Sequence, residues 1–276
     1  QGGYSFGLNN PSEDHKVMYQ AAAAPYMAWA NAANAAMLAD CLRIAGKKDL
    51  AAKYQAAAIE AWNKAGSGDL DFKYSIGNGA TRGRDLKMIA AAYLYRLTGD
   101  RKWEDAMAQE AVSKDPAAEI DKQDQWCQQW GVAAYLMTAQ EKLRPIHYPD
   151  LAANMKAAII REALQKHVEP AATRPSRRGT DQAYAWFQSI IQLNAALIAH
   201  AVSDDSALKS RILAVLIQEA DWSQGRNPLN MVLMSGLGSR HVDHIYTSGR
   251  DDGVPGVHPG HTPYMNANAW SPGFMG

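Results

Sequence analysis

The sequence predicts an all-α fold of stacked helical hairpins followed by an irregular C-terminal segment, and three observations carry that prediction. Alanine is concentrated in one part of the chain: 47 of its 49 copies fall within the first 220 residues of 276. Residues 221–276 instead hold nine of the 21 glycines, five of the 12 prolines and four of the eight histidines. Within the body, apolar residues recur at helical spacing, as in Leu86, Ile89, Ala90, Tyr93 and Leu97, or Leu208, Ile212, Val215 and Leu216. No segment alternates like a strand for long.

The helices are joined in pairs. Short polar turns at Ala45–Asp49, Thr98–Asp100, around Arg144 and Pro145, and at Ser203–Asp205 fall roughly 50 residues apart, a repeat of αα-hairpins. Gly and Asp in these turns read as C-cap and N-cap residues. The connections between hairpins, residues 66–83, 114–124 and 168–180, are long and rich in Gly, Asp, Arg or Pro, so tight turns gather at one end and long loops at the other. The first helix of each pair, such as 181–202, is apolar nearly all round and should be enclosed, whereas the second, such as 205–222, has one apolar stripe. Inner and outer helices in that order make an α/α toroid of (α/α)6 type, or an arc of one, with inner helices beginning near 84, 125 and 181. A tetratricopeptide-like solenoid is disfavoured, because its repeat is only about 34 residues. The chain reads as one catalytic-type domain over 1–276, with a helical body over 15–222 and a tail over 223–276.

Charge and hydropathy narrow the function. Lys+Arg and Asp+Glu balance at 28 each, so the electrostatic footprint of a nucleic-acid or anionic-membrane binder is missing and a neutral partner is expected. No run approaches the roughly 18 apolar residues of a membrane span. Cys41 and Cys127 lie without metal-type spacing inside apparent helical patterns and read as small buried hydrophobes. No cofactor is expected.

The tail carries the chemistry. It contains Gly225-Arg226-Asn227-Pro228-Leu229-Asn230, then Ser235-Gly236-Leu237-Gly238, then His258-Pro259-Gly260-His261. This series resembles the C-terminal signature of glycoside hydrolase family 9, and the helical segments at Tyr26–Trp62 and Ala183–Trp186 stand in the family's order. The resemblance implies an (α/α)6 toroid that hydrolyses β-linked glucans or related oligosaccharides with inversion. Inversion needs a carboxylate base and a carboxylic acid roughly 6.5–9.5 Å apart. The family's base lies in an Asp motif N-terminal to the matching region and its acid is a Glu beyond the His-rich motif. Neither is identifiable here, so the resemblance implies part of a longer, secreted or periplasmic enzyme, inactive by itself. Asp251 and Asp252 read as a solvated turn.

Saccharide-binding residues are then expected at the long-loop end. The resemblance points to His258 and His261, and the same tail offers Arg240, His241, His244 and Tyr264. The four tail histidines could also be read as a zinc site, but they lack the helical i, i+4 pairing and Cys partners that would favour metal, and hydrogen bonding to sugar is preferred. Trp126, first after polar Asp124 and Gln125, is expected in the cleft as a platform for a pyranose, and Trp130, one turn deeper, in the core. Arg82, Arg84, Arg177 and Arg178 lie in loops at that end and could donate hydrogen bonds to hydroxyls or to a charged sugar, while a run such as Arg174–Arg178 is more often just a solvated loop. Two rival functions remain: a polysaccharide lyase using His241, Tyr246, Arg240 and Tyr264, and a non-catalytic carbohydrate-binding scaffold.

Overall fold

A computed structural model describes residues 25–66, 70–71, 73–76, 79–121, 127–180, 193–228, 230–241 and 259–260. The elements are α1 (Pro25–Ile44), α2 (Lys48–Ala65), β1 (Lys73–Ile76), β2 (Gly79–Arg82), α3 (Gly83–Thr98), α4 (Arg101–Glu110), α5 (Gln129–Gln140) and α6 (Pro149–Ala163). A π-helical turn (Leu164–Val168), a short α7 (Glu169–Thr173), α8 (Asn194–Val202) and α9 (Ser206–Ser223) follow. The chain divides into two compact units: Ala23–Gln165 with Asn194–Ile212, and Gln1–Ala22 with Lys166–Leu193 and Leu213–Gly276.

Hairpins turn at the four places the sequence marks. Gly99 closes α3 in the left-handed region (φ 73°), where only glycine is free of Cβ strain, and its N–H donates to the Tyr95 carbonyl at 2.8 Å. Asp100 then accepts from the Lys102 N–H at 3.1 Å and starts α4. Asp205 caps α9 likewise, accepting from the N–H groups of Ala207 and Leu208. Pro149 opens α6 at a position where a missing N–H costs nothing. One cap differs from expectation: Asp49 lies inside the first turn of α2, beside the positive end of the helix dipole, and no side chain caps that helix.

Packing in the larger unit follows the alanines. Ala32 and Ala33 of α1 pack with Ile89 and Ala90 of α3, all buried. Gly131 of α5 faces Met88 and Ile89 so closely that a Cβ there would meet the Met88 sulfur at 2.4 Å. Small residues thus set the distance between first helices. α3 and α5 are buried almost all round, and α6 keeps one stripe of Leu151, Met155, Ala158, Ile159 and Glu162. Trp29, Trp62 and Trp103 meet edge-on, with centroids 4.7 and 4.9 Å apart, and tie α1, α2 and α4 together. α1 departs from expectation: although nearly charge-free and packed against α2 and α3, it leaves Met27 and Leu38 exposed.

Buried ion pairs lock the tight turns. Arg96, at the end of α3, donates to Asp40 of α1 and to Glu141 just after α5, both at 2.8 Å. Glu104, fully buried on α4, accepts from the Tyr135 hydroxyl (2.7 Å) and the His147 backbone N–H (2.9 Å). Burial and this carboxylate push the Tyr135 phenol far up, and burial pushes the Tyr93 phenol up to about 12. The long loop after α2 holds a feature absent from the sequence reading. β1 and β2 pair antiparallel with Ile76 opposite Gly79, leaving residues 77 and 78 as a two-residue connection. Four-residue strands are too short to show alternation; the Gly77-Asn78 pair between them is the legible hairpin signal.

In the second unit, the described tail residues 224–241 and 259–260 form turns and isolated bridges rather than helix. Val232 bridges Gln224 antiparallel and His241 parallel. Leu233 is buried against Trp222 and Met231. Cys41 lies within α1 as expected but is exposed, and Cys127 is buried as expected but precedes α5 rather than lying within it. Among the described residues no helix is long and apolar enough to cross a membrane.

Candidate functional site

The long-loop end of the larger unit is built where α3 and α5 begin and α4 ends. Arg82, just before α3, grips Asp85 with two parallel bonds of 2.9 and 2.8 Å. Gln128, fully buried just before α5, donates to Asp85 (3.0 Å) and to the Glu110 carbonyl (2.9 Å), and its amide oxygen accepts from the Val112 N–H (2.9 Å). One glutamine side chain therefore ties three elements. Arg84 pairs with Asp71 and Glu110, and Lys87 reaches Glu110 at 2.8 Å. The hydrogen bond to Asp85 holds the Arg82 guanidinium above its ordinary range, and Asp71 does the same for Arg84. Glu162 of α6 accepts the backbone N–H groups of Ile120 (2.6 Å) and Asp121 (2.8 Å), and Asp121 accepts from the N–H of Ala195 at the start of α8 (3.0 Å).

The second unit is organised around Glu219. This fully buried carboxylate accepts from Arg178 Nε and Nη2 at 2.8 and 2.6 Å and from the Gly179 N–H at 3.0 Å. The Arg178 guanidinium lies 4.4 Å from the Trp222 ring centroid. Asn227, from the Gly-Arg-Asn-Pro run, donates through one Nδ2 to the carbonyls of Trp222 (2.7 Å) and Met231 (2.8 Å), which closes the turn after α9. Farther along, the Gly260 N–H donates to the Ser235 carbonyl at 2.8 Å. The glycine-rich turn and the middle of the His-Pro-Gly-His motif are thus in contact.

Of the expected binding residues, Arg240 and His241 are described. The Arg240 side chain is exposed and its carbonyl accepts from the Val232 N–H at 2.9 Å; His241 is half-buried on the parallel bridge. Trp126, His244, His258, His261 and Tyr264 lie outside the described residues, as do Tyr246, Asp251, Asp252 and the expected helix opening at 181–192. Trp130 is half-buried against Ala32, Ala33, Ile89 and Ala90.

The loop arginines are held by protein partners. Arg82, Arg84 and Arg178, which could have donated to a sugar, instead hydrogen-bond carboxylates, and Arg177 donates to the Ala172 carbonyl. They fix loops in place. The glutamates that hold these segments were missed in the sequence, although a signal exists. Glu110, Glu162 and Glu219 continue the buried stripes Trp103–Met107, Met155–Ile159 and Ile212–Val215 at helical spacing, where a charge must find a partner. Among the described residues no group of three His, Cys, Asp or Glu could hold a metal ion.

Comparisons with known proteins agree with this architecture. The chain resembles a single mutant of the thermostable endoglucanase from Alicyclobacillus acidocaldarius, 22% identical with a TM-score of 0.66, over 86% of this chain and 45% of that one. A Bacteroides ovatus GH9 structure is 16% identical with a TM-score of 0.65, over 94% of this chain and 49% of that one. The catalytic domain of Clostridium thermocellum CelT is 17% identical with a TM-score of 0.61, over 92% of this chain and 56% of that one. The chain therefore spans about half the length of these solved relatives, and at such identities the likeness carries the fold. No curated protein matches the chain. The family model described as glycosyl hydrolase family 9 matches residues 5–262, from before α1 through Gly260 and His261. With the helical hairpins and the tail motifs inside that span, the chain belongs to glycosyl hydrolase family 9.

Proposed function

We propose that the polypeptide containing this chain hydrolyses β-linked glucans or related oligosaccharides with inversion of configuration, and that this chain supplies saccharide-binding loops. What supports the reading is the family match over residues 5–262, which includes the Gly-Arg-Asn-Pro run, the glycine-rich turn and the His-rich motif. In this reading His258 and His261 hydrogen-bond sugar hydroxyls, with Arg240, His241, His244 and Tyr264 lining the same tail and Trp126 stacking on a pyranose face. The partner is a neutral oligo- or polysaccharide, and the enzyme acts outside the cytoplasm, as the family resemblance suggests.

The proposal assigns the acid and base carboxylates to other parts of the polypeptide. Four buried carboxylates of the long-loop segments are already engaged: Asp85 by Arg82 and Gln128, Glu110 by Arg84 and Lys87, Glu162 by two backbone N–H groups, and Glu219 by Arg178 and Gly179. A general acid or base must instead reach the scissile bond or its water.

Proton NMR of products released from a β-linked gluco-oligosaccharide by the longer polypeptide tests this. The α-anomer should form first, and the 276-residue chain alone should give no turnover. First formation of the β-anomer would contradict inversion; an unsaturated product absorbing in the near ultraviolet would favour a lyase; binding without turnover would favour a scaffold.

A further inference from the structure

Three buried glutamates recur at the far ends of second helices, and each takes hold of a segment leading into, or opening, the first helix of its own hairpin. Glu110 of α4 receives Arg84 and Lys87 of α3, Glu162 of α6 receives the loop backbone at Ile120 and Asp121 ahead of α5, and Glu219 of α9 receives Arg178 and Gly179 on the connection toward α8. The last is the most tightly specified. Gly179 has both backbone groups taken, its N–H by Glu219 and its carbonyl by His167 Nδ1 at 3.0 Å. It also lacks room for a side chain, since a Cβ would lie 2.6 Å from Val215 Cγ1 and 3.0 Å from Leu193 Cδ2.

From Glu219 a continuous path of contacts reaches the tail. Arg178 lies on the Trp222 ring, the Trp222 carbonyl accepts from Asn227, and Asn227 also holds Met231. The path joins the loop that precedes Ala183–Trp186 to the Gly-Arg-Asn-Pro run, and through it to the tail in which Arg240 and His241 are the described candidates for sugar binding. A buried ion pair is a poor device for stability alone, because apolar residues of similar volume often serve as well. Three directional bonds to one carboxylate do supply a fixed geometry.

We propose that Arg178 and Glu219 are positioning residues for saccharide binding, anchoring the turn after α9 to the 174–180 loop so that the 224–241 tail presents Arg240 and His241 in one arrangement. The proposal rests on the glycosidase reading, and its test separates the two. In the longer polypeptide, KM and kcat on a β-linked gluco-oligosaccharide are measured beside the thermal midpoint for wild type, Glu219→Gln and the double variant R178M/E219L. Glu219→Gln should lower the midpoint and raise KM by about tenfold or more, since a misplaced contact region weakens productive binding. The double variant should recover most of the midpoint, with no charge left buried alone, while KM stays raised.

Recovery of both midpoint and KM in the double variant overturns the proposal. So does a Glu219→Gln protein with wild-type KM, whatever its midpoint and however the double variant folds, because KM does not depend on the fraction of folded molecules. Absence of hydrolysis by wild type counts against the glycosidase reading, and the dissociation constant of the same oligosaccharide then replaces KM in the comparison. No binding by wild type overturns both.

Discussion

Gly260 donates its backbone N–H to the carbonyl of Ser235 at 2.8 Å, so the His-Pro-Gly-His motif and the glycine-rich turn, 25 residues apart in sequence, are joined main chain to main chain. Gly236, next to that acceptor, has φ 73°, and a Cβ there would lie 3.0 Å from Pro259 Cβ and 3.2 Å from its Cα. Both space and backbone conformation demand glycine.

Gly236→Ala is therefore expected to destabilise the protein by about 1–2 kcal/mol, from left-handed strain with the Pro259 contact added. Denaturant unfolding gives the total, and faster amide exchange at Gly260 would locate it. Wild-type exchange at that amide would show that Pro259 and Gly260 do not rely on the turn.

A second expectation concerns the core of the larger unit. Gly131→Val should cost about 1–3 kcal/mol, because its Cβ would overlap the Met88 sulfur at 2.4 Å and press on Ile89 Cα at 3.2 Å. Valine is a better helix former than glycine, so an exposed site would gain stability from the same change. A rise in the thermal midpoint would mean that α5 and α3 are not in close contact at this point.

Acid should loosen the Gly179 clamp. A carbonyl only accepts, so the His167–Gly179 bond requires the proton on Nδ1 and leaves Nε2 bare, buried and without a hydrogen-bond partner among the described residues. Burial holds the His167 pKa below its ordinary 6.5, with Lys166 and Arg174 adding to the depression and the Gly179 bond and Glu219 opposing it. Between the folded and unfolded pKa values the unfolded chain binds more protons, so this group's stabilisation is present above about pH 6.5 and is lost as pH falls toward the folded value. Denaturant midpoints from pH 7.5 to 5 should fall in wild type and fall less in His167→Gln. Equal slopes would assign the acid sensitivity elsewhere.

Much of this fold is legible because its signals are local. Gly99, Asp100, Pro149 and Asp205 mark turns by backbone chemistry that needs no tertiary partner, and the observed helices begin and end beside them. The uses of the arginines are not local. Nothing near Arg178 in sequence announces Glu219, 41 residues on, nor does Arg96 announce Asp40, 56 residues back. A charged residue on an apolar stripe declares that it needs a partner without saying which. That is why Arg82, Arg84 and Arg178 read as available donors and are instead committed to carboxylates. The helix start at 125 came out four residues late, at Gln129, because polar Gln125 and Gln128 fit a first turn and a buried connection equally well; Gln128 serves the connection.

The tail histidines decide the functional account. A lost hydrogen bond to a neutral partner costs about 0.5–1.5 kcal/mol, so His258→Ala and His261→Ala should each weaken oligosaccharide binding by up to about tenfold. Trp126→Ala should weaken it further by removing a stacking face, at about 1–3 kcal/mol by analogy with aromatic stacking on bases. Each variant needs an unchanged thermal midpoint for the comparison to count, and a zinc-dependent change in affinity would reassign the histidines to a metal.

The most direct measurement is calorimetric titration of the longer polypeptide with a neutral β-linked gluco-oligosaccharide, for wild type and for the double variant H258A/H261A. The account predicts saturable binding in wild type and a dissociation constant raised by about tenfold or more when both rings are removed, with turnover falling in parallel. Equal affinity and equal turnover in the two proteins would contradict it and leave the His-Pro-Gly-His motif a structural segment, fastened by Gly260 to Ser235.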